Sequence, residues 1–222
     1  MTNQIGITEG ADPTVNLKWQ EWVNVGKPAI LITKRPDLLY PMLTGKENVI
    51  IHCTITGMGG SKIEPNIPEY NYELEYYHKF YELFGKDRVV LRIDPIMYPA
   101  NMKVLKQIIS KTIGRVRISF LDLYPHVIKR FKDNGIDIEQ LNFHQPLGYR
   151  MKIWKQLGKP EICGEPDMPI TPCVSIKDCK ILHVNPFKVE KHQRFVCHCL
   201  ANKVELCKEH NCTYGCLYCY WK

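Results

Sequence analysis

The sequence predicts an α/β fold: a partial (β/α) barrel of about six parallel strands with a cysteine-rich C-terminal tail. Three observations carry this. Short apolar runs alternate with stretches of helical spacing through the first 165 residues, the pattern of parallel β/α units. Polar residues collect at the ends of those runs, where a β/α barrel keeps its chemistry. Nine of the ten cysteines follow residue 160, and from about Pro166 the chain turns to proline, cysteine and charge with little periodicity. Residues 1–165 are therefore read as the barrel. Residues 166–222 are read as a tail held by metal ligands and packed on it as one structural unit.

The elements follow in order. Ala29–Thr33 is a buried strand, and Pro36 to about Leu43 a short helix. Asn48–Ile55 is a second strand, followed by a glycine-rich loop. Glu69–Phe84 has apolar and aromatic residues at helical spacing and stops at Gly85, a usual C-terminal signal. Arg88–Ile93 is a third strand, expected to be cut off by Asp94-Pro95. A helix over Met102–Thr112, a strand over Arg115–Leu121 and a helix over Pro125–Asn134 come next. Gln140–Phe143 is expected as a fifth strand, Leu147–Leu157 as a helix and Pro160–Cys163 as a sixth strand. The aromatic side chains of the Glu69–Phe84 helix are expected to pack on the sheet.

Composition narrows the function classes. With 45% hydrophobic and 24% charged residues the chain is globular. No apolar run approaches the roughly 18 residues of a membrane span, and MTNQIGITEGADP lacks the basic-then-apolar layout of a secretion signal. The expected setting is soluble and cytoplasmic, with no membrane partner. A net charge of +7 permits an anionic partner without demanding one. The basic residues Lys103, Lys106, Lys111, Arg115, Lys129, Arg130 and Lys132 read as a solvated face. Neither a GxGxxG turn nor a Walker loop is present.

Candidate polar residues stand at the strand ends: Lys34, then His52, Thr54 and Thr56, then Arg92 and Asp94, Asp122, His144 and Glu165. Together they suggest a mouth lined for a polar cofactor or substrate. Such cysteine clustering favours a metal or iron–sulfur site over a disulfide framework. The sequence Cys212-Thr-Tyr-Gly-Cys216-Leu-Tyr-Cys219 is C-x3-C-x2-C with an aromatic residue before the third cysteine. Three close thiolates suit a 4Fe–4S cluster and leave one iron free for a substrate or cofactor. Zinc ribbons instead pair two C-x2-C units to make four ligands.

In this motif the chain resembles the radical SAM superfamily. The resemblance implies that S-adenosylmethionine (SAM) chelates the open iron and is reductively cleaved to a radical that abstracts hydrogen from a substrate. The superfamily motif follows the first barrel strand near the N-terminus. Here it lies at the C-terminus, as a circular permutation would place it, with Leu17–Val25 standing in for the helix that would follow. The arrangement resembles a family of bacterial and phage proteins with an iron–sulfur-like cysteine cluster at the C-terminus. The likeness rests on Thr33-Lys34, Ile63–Pro68, Arg92–Pro95, Ile118–Asp122, Cys163–Glu165, and Gln193-Arg194 before Cys197-x-Cys199.

A more distant resemblance is to spore photoproduct lyase. It implies that Lys34 holds the SAM carboxylate, and by analogy it raises nucleic-acid chemistry as one option. Thr54, Arg92, Asp94 and Asp122 are weaker cofactor-binding candidates. Tyr98 and Cys53 are unsupported candidates for a hydrogen donor. An electron donor such as flavodoxin or ferredoxin is the implied partner. Cys163, Cys173, Cys179, Cys197 and Cys199 form a candidate second metal site, for an auxiliary iron–sulfur cluster or zinc. The alternatives are a non-catalytic zinc-binding interaction protein and an iron–sulfur electron carrier or redox sensor.

Overall fold

The computed structural model describes residues 3–43, 45–190 and 196–221. Its strands are β1 (Ile5–Ile7), β2 (Ala29–Thr33), β3 (Val49–Thr54), β4 (Val89–Ile96), β5 (Arg115–Phe120), β6 (Glu161–Ile162) and β7 (Lys203–Glu205). The helices are α1 (Lys18–Asn24), α2 (Pro36–Leu39), α3 (Tyr70–Phe84), α4 (Met102–Ser110), α5 (Pro125–Asp133), α6 (Leu147–Gln156) and α7 (Ile176–Ile181). Every strand pairing is parallel, in the order β6-β5-β4-β3-β2-β1-β7. The sheet is a curled, open half-barrel. The last strand of the chain, β7, lies outside the first, so the loops after both leave the same end of the sheet.

The side-chain alternation of the strands separates two cores. Leu31, Ile51, Cys53, Leu91 and Ile93 face the helices, where Trp19, Tyr77, Phe80, Ile108 and Ile153 close over them. Cys53, Tyr77 and Phe80 are thus packing residues, Tyr70 and Phe84 pack at the edge, and Tyr72, expected to pack as well, is exposed. The opposite, inner face carries Ile30, Ile50 and Val90, and among the described residues no further strand closes it. The tail does so instead, with Cys173, Val174, Cys179, Leu182, Cys199 and Leu200.

Above this apolar layer the inner face turns polar. The register sets Thr54 beside Arg92, Arg92 beside Arg117, and Arg117 beside Glu161. Alternation then brings Asp94 and Ser119 to the same face one layer higher, and the Ser119 hydroxyl hydrogen-bonds Asp94.

Three sequence expectations are corrected. Gln140–Phe143 is a loop: Leu141 is 93% exposed, and the Gln140 amide donates to the carbonyls of Leu121, Asn142 and Phe143. β4 does not stop before Asp94-Pro95 but runs to Ile96. Pro95 has no N–H to donate, so the register to β5 shifts between Ile93 and Ile96 and pairing resumes at Phe120. β1 and β7 went unexpected, being three-residue strands with a glycine or two charges in them. Gln193 and Arg194 lie outside the described residues.

Candidate functional site

A cavity of about 370 Å³ opens at the C-terminal ends of the strands, within the size range of small-molecule sites. Cys212, Cys216 and Cys219 line it together with Lys34, Thr54, Arg92, Asp94 and Asp122. The three thiols arrive on the loop after β7, and the other residues come from β2, β3, β4 and the turn after β5. Tyr124, Tyr214, Tyr218 and Trp221 add aromatic walls.

The cysteine loop is fixed at both sides of the half-barrel. On the β1 side, Trp221 Nε1 donates to the Glu9 carbonyl at 3.1 Å and its ring stacks on His210. Gly10 lets the loop approach closely, since a Cβ there would stand 2.0 Å from the Cys207 carbonyl oxygen. On the far side, Leu217 and Tyr218 pack with Val127 and Phe131 of α5. Arg130 donates to the carbonyl oxygens of Cys219 and, at 2.8 Å, Trp221. Burial raises the Cys212 thiol above its ordinary value, and the backbone N–H groups of Tyr214 and Asp12, which favour a thiolate, only partly oppose this. Cys212 is more exposed than Cys216, and burial pushes the free Cys216 thiol up to about 12.

Lys34 is the best-prepared polar group. Its ammonium donates to Glu64 Oε1 at 2.8 Å and lies 5.0 Å from the centre of the Tyr218 ring. Burial disfavours the charge, but Glu64, Cys216 and Asp94 outweigh it and hold the ammonium protonated well beyond the usual lysine range. Glu64 also accepts from the Tyr218 hydroxyl and, at 2.7 Å, from Thr56 Oγ1. These contacts overcome burial and lower its pKa. Asp12 accepts from the Lys34 amide at 2.7 Å, from Thr33 Oγ1 and from Thr14; burial still raises its carboxyl above the ordinary value. Arg92 clasps Asp94 Oδ2 through Nε at 2.9 Å and Nη2 at 2.6 Å. Asp122 pairs with His144 Nδ1 at 2.8 Å.

Other expected residues fall elsewhere. His52 is fully buried on the inner face with neither ring nitrogen hydrogen-bonded; burial, with Arg117 and Arg92 nearby, holds its pKa well below the usual value. Glu165 is a buried clamp that accepts from the Phe120 amide at 2.7 Å and Arg150 Nη1 at 3.0 Å. Tyr98 packs edge-on against Tyr149, outside the cavity. Cys53 is outside it too. Of the basic residues expected on a solvated face, Arg115 is buried against Glu161 and Asp178, and Arg130 holds the cysteine loop.

Cys163, Cys173, Cys197 and Cys199 gather below the main cavity, around a second one of about 40 Å³. Cys179 does not line it. No three ligand-type side chains among the described residues already stand in a coordination geometry.

Residues 21–221 match the family model of a domain of unknown function, DUF1848. The chain belongs to the DUF1848 family. No curated protein and no solved structure matches it. The family assignment spans every motif cysteine, Lys34, Glu64 and the strand-end carboxylates, but leaves out β1 and Asp12.

Sequence reasoning passed over Asp12, Glu64 and Arg130 as site residues. Asp12 and Glu64 sit in loops without periodicity. Only the Ile63–Pro68 segment, quoted for its resemblance, pointed toward Glu64.

Proposed function

We propose that the chain is a radical SAM enzyme, with Cys212, Cys216 and Cys219 holding a 4Fe–4S cluster and SAM bound beside it in the large cavity. One observation carries the reading: the three motif thiols and Lys34 line a single cavity at the C-terminal end of an all-parallel half-barrel. β7 at the sheet edge gives the permuted motif the strand it would need. When bound, the cluster and SAM supply reductive cleavage of the sulfonium and hydrogen-atom abstraction from a substrate.

The chain's own groups have assignable tasks. Lys34 receives the SAM carboxylate, and Glu64 fixes its ammonium in place. Asp94 and Asp122 offer acceptors for amino and hydroxyl groups, with Asp94 oriented by Arg92 and Ser119. Asp12 ties the Thr33-Lys34 turn to the loop after β1. The exposed side of Cys212 gives a one-electron donor such as reduced flavodoxin or ferredoxin a short path. Tyrosine and tryptophan walls restrict water around the reacting centre.

Electron paramagnetic resonance of anaerobically purified, dithionite-reduced protein tests this. The expected result is a reduced-cluster signal that SAM perturbs and that C212A/C216A/C219A lacks. A signal indifferent to SAM would make the protein an electron carrier. Zinc without iron at these three cysteines would overturn the reading altogether.

A further inference from the structure

We infer that Cys163, Cys173, Cys197 and Cys199 form a separate mononuclear zinc site that closes the inner face of the half-barrel. The inference is independent of the radical SAM reading. The four cysteines come from three segments: the end of β6, the stretch before α7, and the approach to β7. Their sulfurs nevertheless touch in a chain. Cys163 and Cys173 Sγ are 3.1 Å apart, Cys173 hydrogen-bonds Cys199, and Cys199 hydrogen-bonds Cys197.

Sulfur spacing decides between the two candidate metals. Four thiolates on one tetrahedral ion, at Zn–S of about 2.3 Å, stand about 3.8 Å from one another. The Cys163–Cys173 contact of 3.1 Å needs to open by less than an ångström to reach that. A 4Fe–4S cubane would put its own eight-atom core between the same sulfurs. Sulfurs already in contact, as those of Cys163 and Cys173 are, suit one shared ion and leave no space between them for that core.

Charge and topology agree with this. Four thiolates on a divalent ion leave two negative charges, which burial makes costly unless paired. Arg92 supplies one cation, with Nη1 3.4 Å from Cys173 Sγ. Lys203 lines the same space, paired with Glu9, which lines it too. The fully buried Arg117 is close enough to act on Cys173 and Cys163. Among its described residues the tail that closes the inner face has one six-residue helix, α7, and the three-residue β7 to order it. Metal binding is coupled to folding in such irregular segments. Cys179 is excluded: it is buried on α7, with no sulfur contact to the other four. Because Arg92 reaches Cys173 with one arm and Asp94 with the other, the zinc site would also set the floor of the large cavity.

The test is metal content of the full chain, purified anaerobically, in three forms. Wild type and C212A/C216A/C219A should each retain one zinc per chain, while C163S/C173S loses it. Loading the triple-alanine form with cobalt(II) should give the intense visible bands of a tetrahedral tetrathiolate. If C163S/C173S does not fold, that cobalt spectrum still decides the point, since it is read on intact ligands. Iron instead of zinc in the triple-alanine form would overturn the inference in favour of an auxiliary cluster. A Cys163–Cys173 disulfide by mass, four free thiols without metal, or octahedral cobalt would overturn it as well. An auxiliary cluster would add a signal that C212A/C216A/C219A keeps and SAM leaves unchanged, so the SAM-perturbed signal still reports on the three motif cysteines alone.

Discussion

Lys34 shows how one residue joins the stability of the site to its proposed ligand. Its ammonium neutralises Glu64, a carboxylate 1% exposed, and faces the cavity with its remaining hydrogen-bonding capacity. Charged hydrogen bonds contribute about 1.5–3 kcal/mol. Lys34→Met should therefore weaken SAM binding by about tenfold to a hundredfold in equilibrium dialysis. Iron content should stay at the wild-type value. The same change strands Glu64 with only Tyr218 and Thr56, so the single variant should also unfold more easily. K34M/E64Q separates the two roles. The double variant should recover most of the lost stability and none of the lost affinity. Recovery of both would mean that Lys34 serves the fold alone.

At the scale of elements, the loop after β7 depends on the loop after β1. A methyl group at Gly10 would collide with the Cys207 backbone, which cannot swing aside, and with the His210 ring. Gly10→Ala should cost about 1–3 kcal/mol, as overpacking does. It should also lower iron retention, because displacing Cys207 moves the thiols that follow it. Urea unfolding and iron content read the two effects; unchanged iron would mean that the loop docks without Gly10.

The same elements explain what could be read from the sequence. β2 to β5 were legible because each is five residues or longer and rich in β-branched and other apolar residues. β1 and β7 were not, since three residues give no measurable period and Lys203 and Glu205 look like surface. The motif cysteines, Lys34, Thr54, Arg92, Asp94 and Asp122 were legible as spacing and as strand ends. Asp12, Glu64 and Arg130 act through tertiary contacts between loops and helices distant in sequence, which no local pattern encodes.

Across the whole molecule, the inner face stays ordered by neutralising its own buried charge. Arg117 is fully buried and bonds Glu161 Oε2 through Nε at 3.1 Å and Nη2 at 2.6 Å, while Arg115 bonds the same carboxylate and Asp178. Thus β5 and β6 are tied to each other and to α7 of the tail. Burial would raise the Glu161 pKa, but Arg117 and Arg115 prevail and lower it below 4.5. A carboxylate with a depressed folded pKa contributes stability that is fully present above its unfolded value. That contribution is lost as pH falls through the folded value. Glu161→Gln leaves Arg117 without its countercharge and should destabilise the protein at neutral pH by about 3 kcal/mol. Urea unfolding curves of wild type and variant should draw together as the pH drops below 4.5, because protonation makes Glu161 as neutral as glutamine. A gap that persists undiminished in acid would show that geometry, not charge, gives Glu161 its role. Since the clamp reaches the tail through Asp178, the same acidification should loosen the segment carrying Cys173 and Cys199 before the helix-covered core unfolds. Hydrogen exchange of residues 173–182 against those of β3 would show that order.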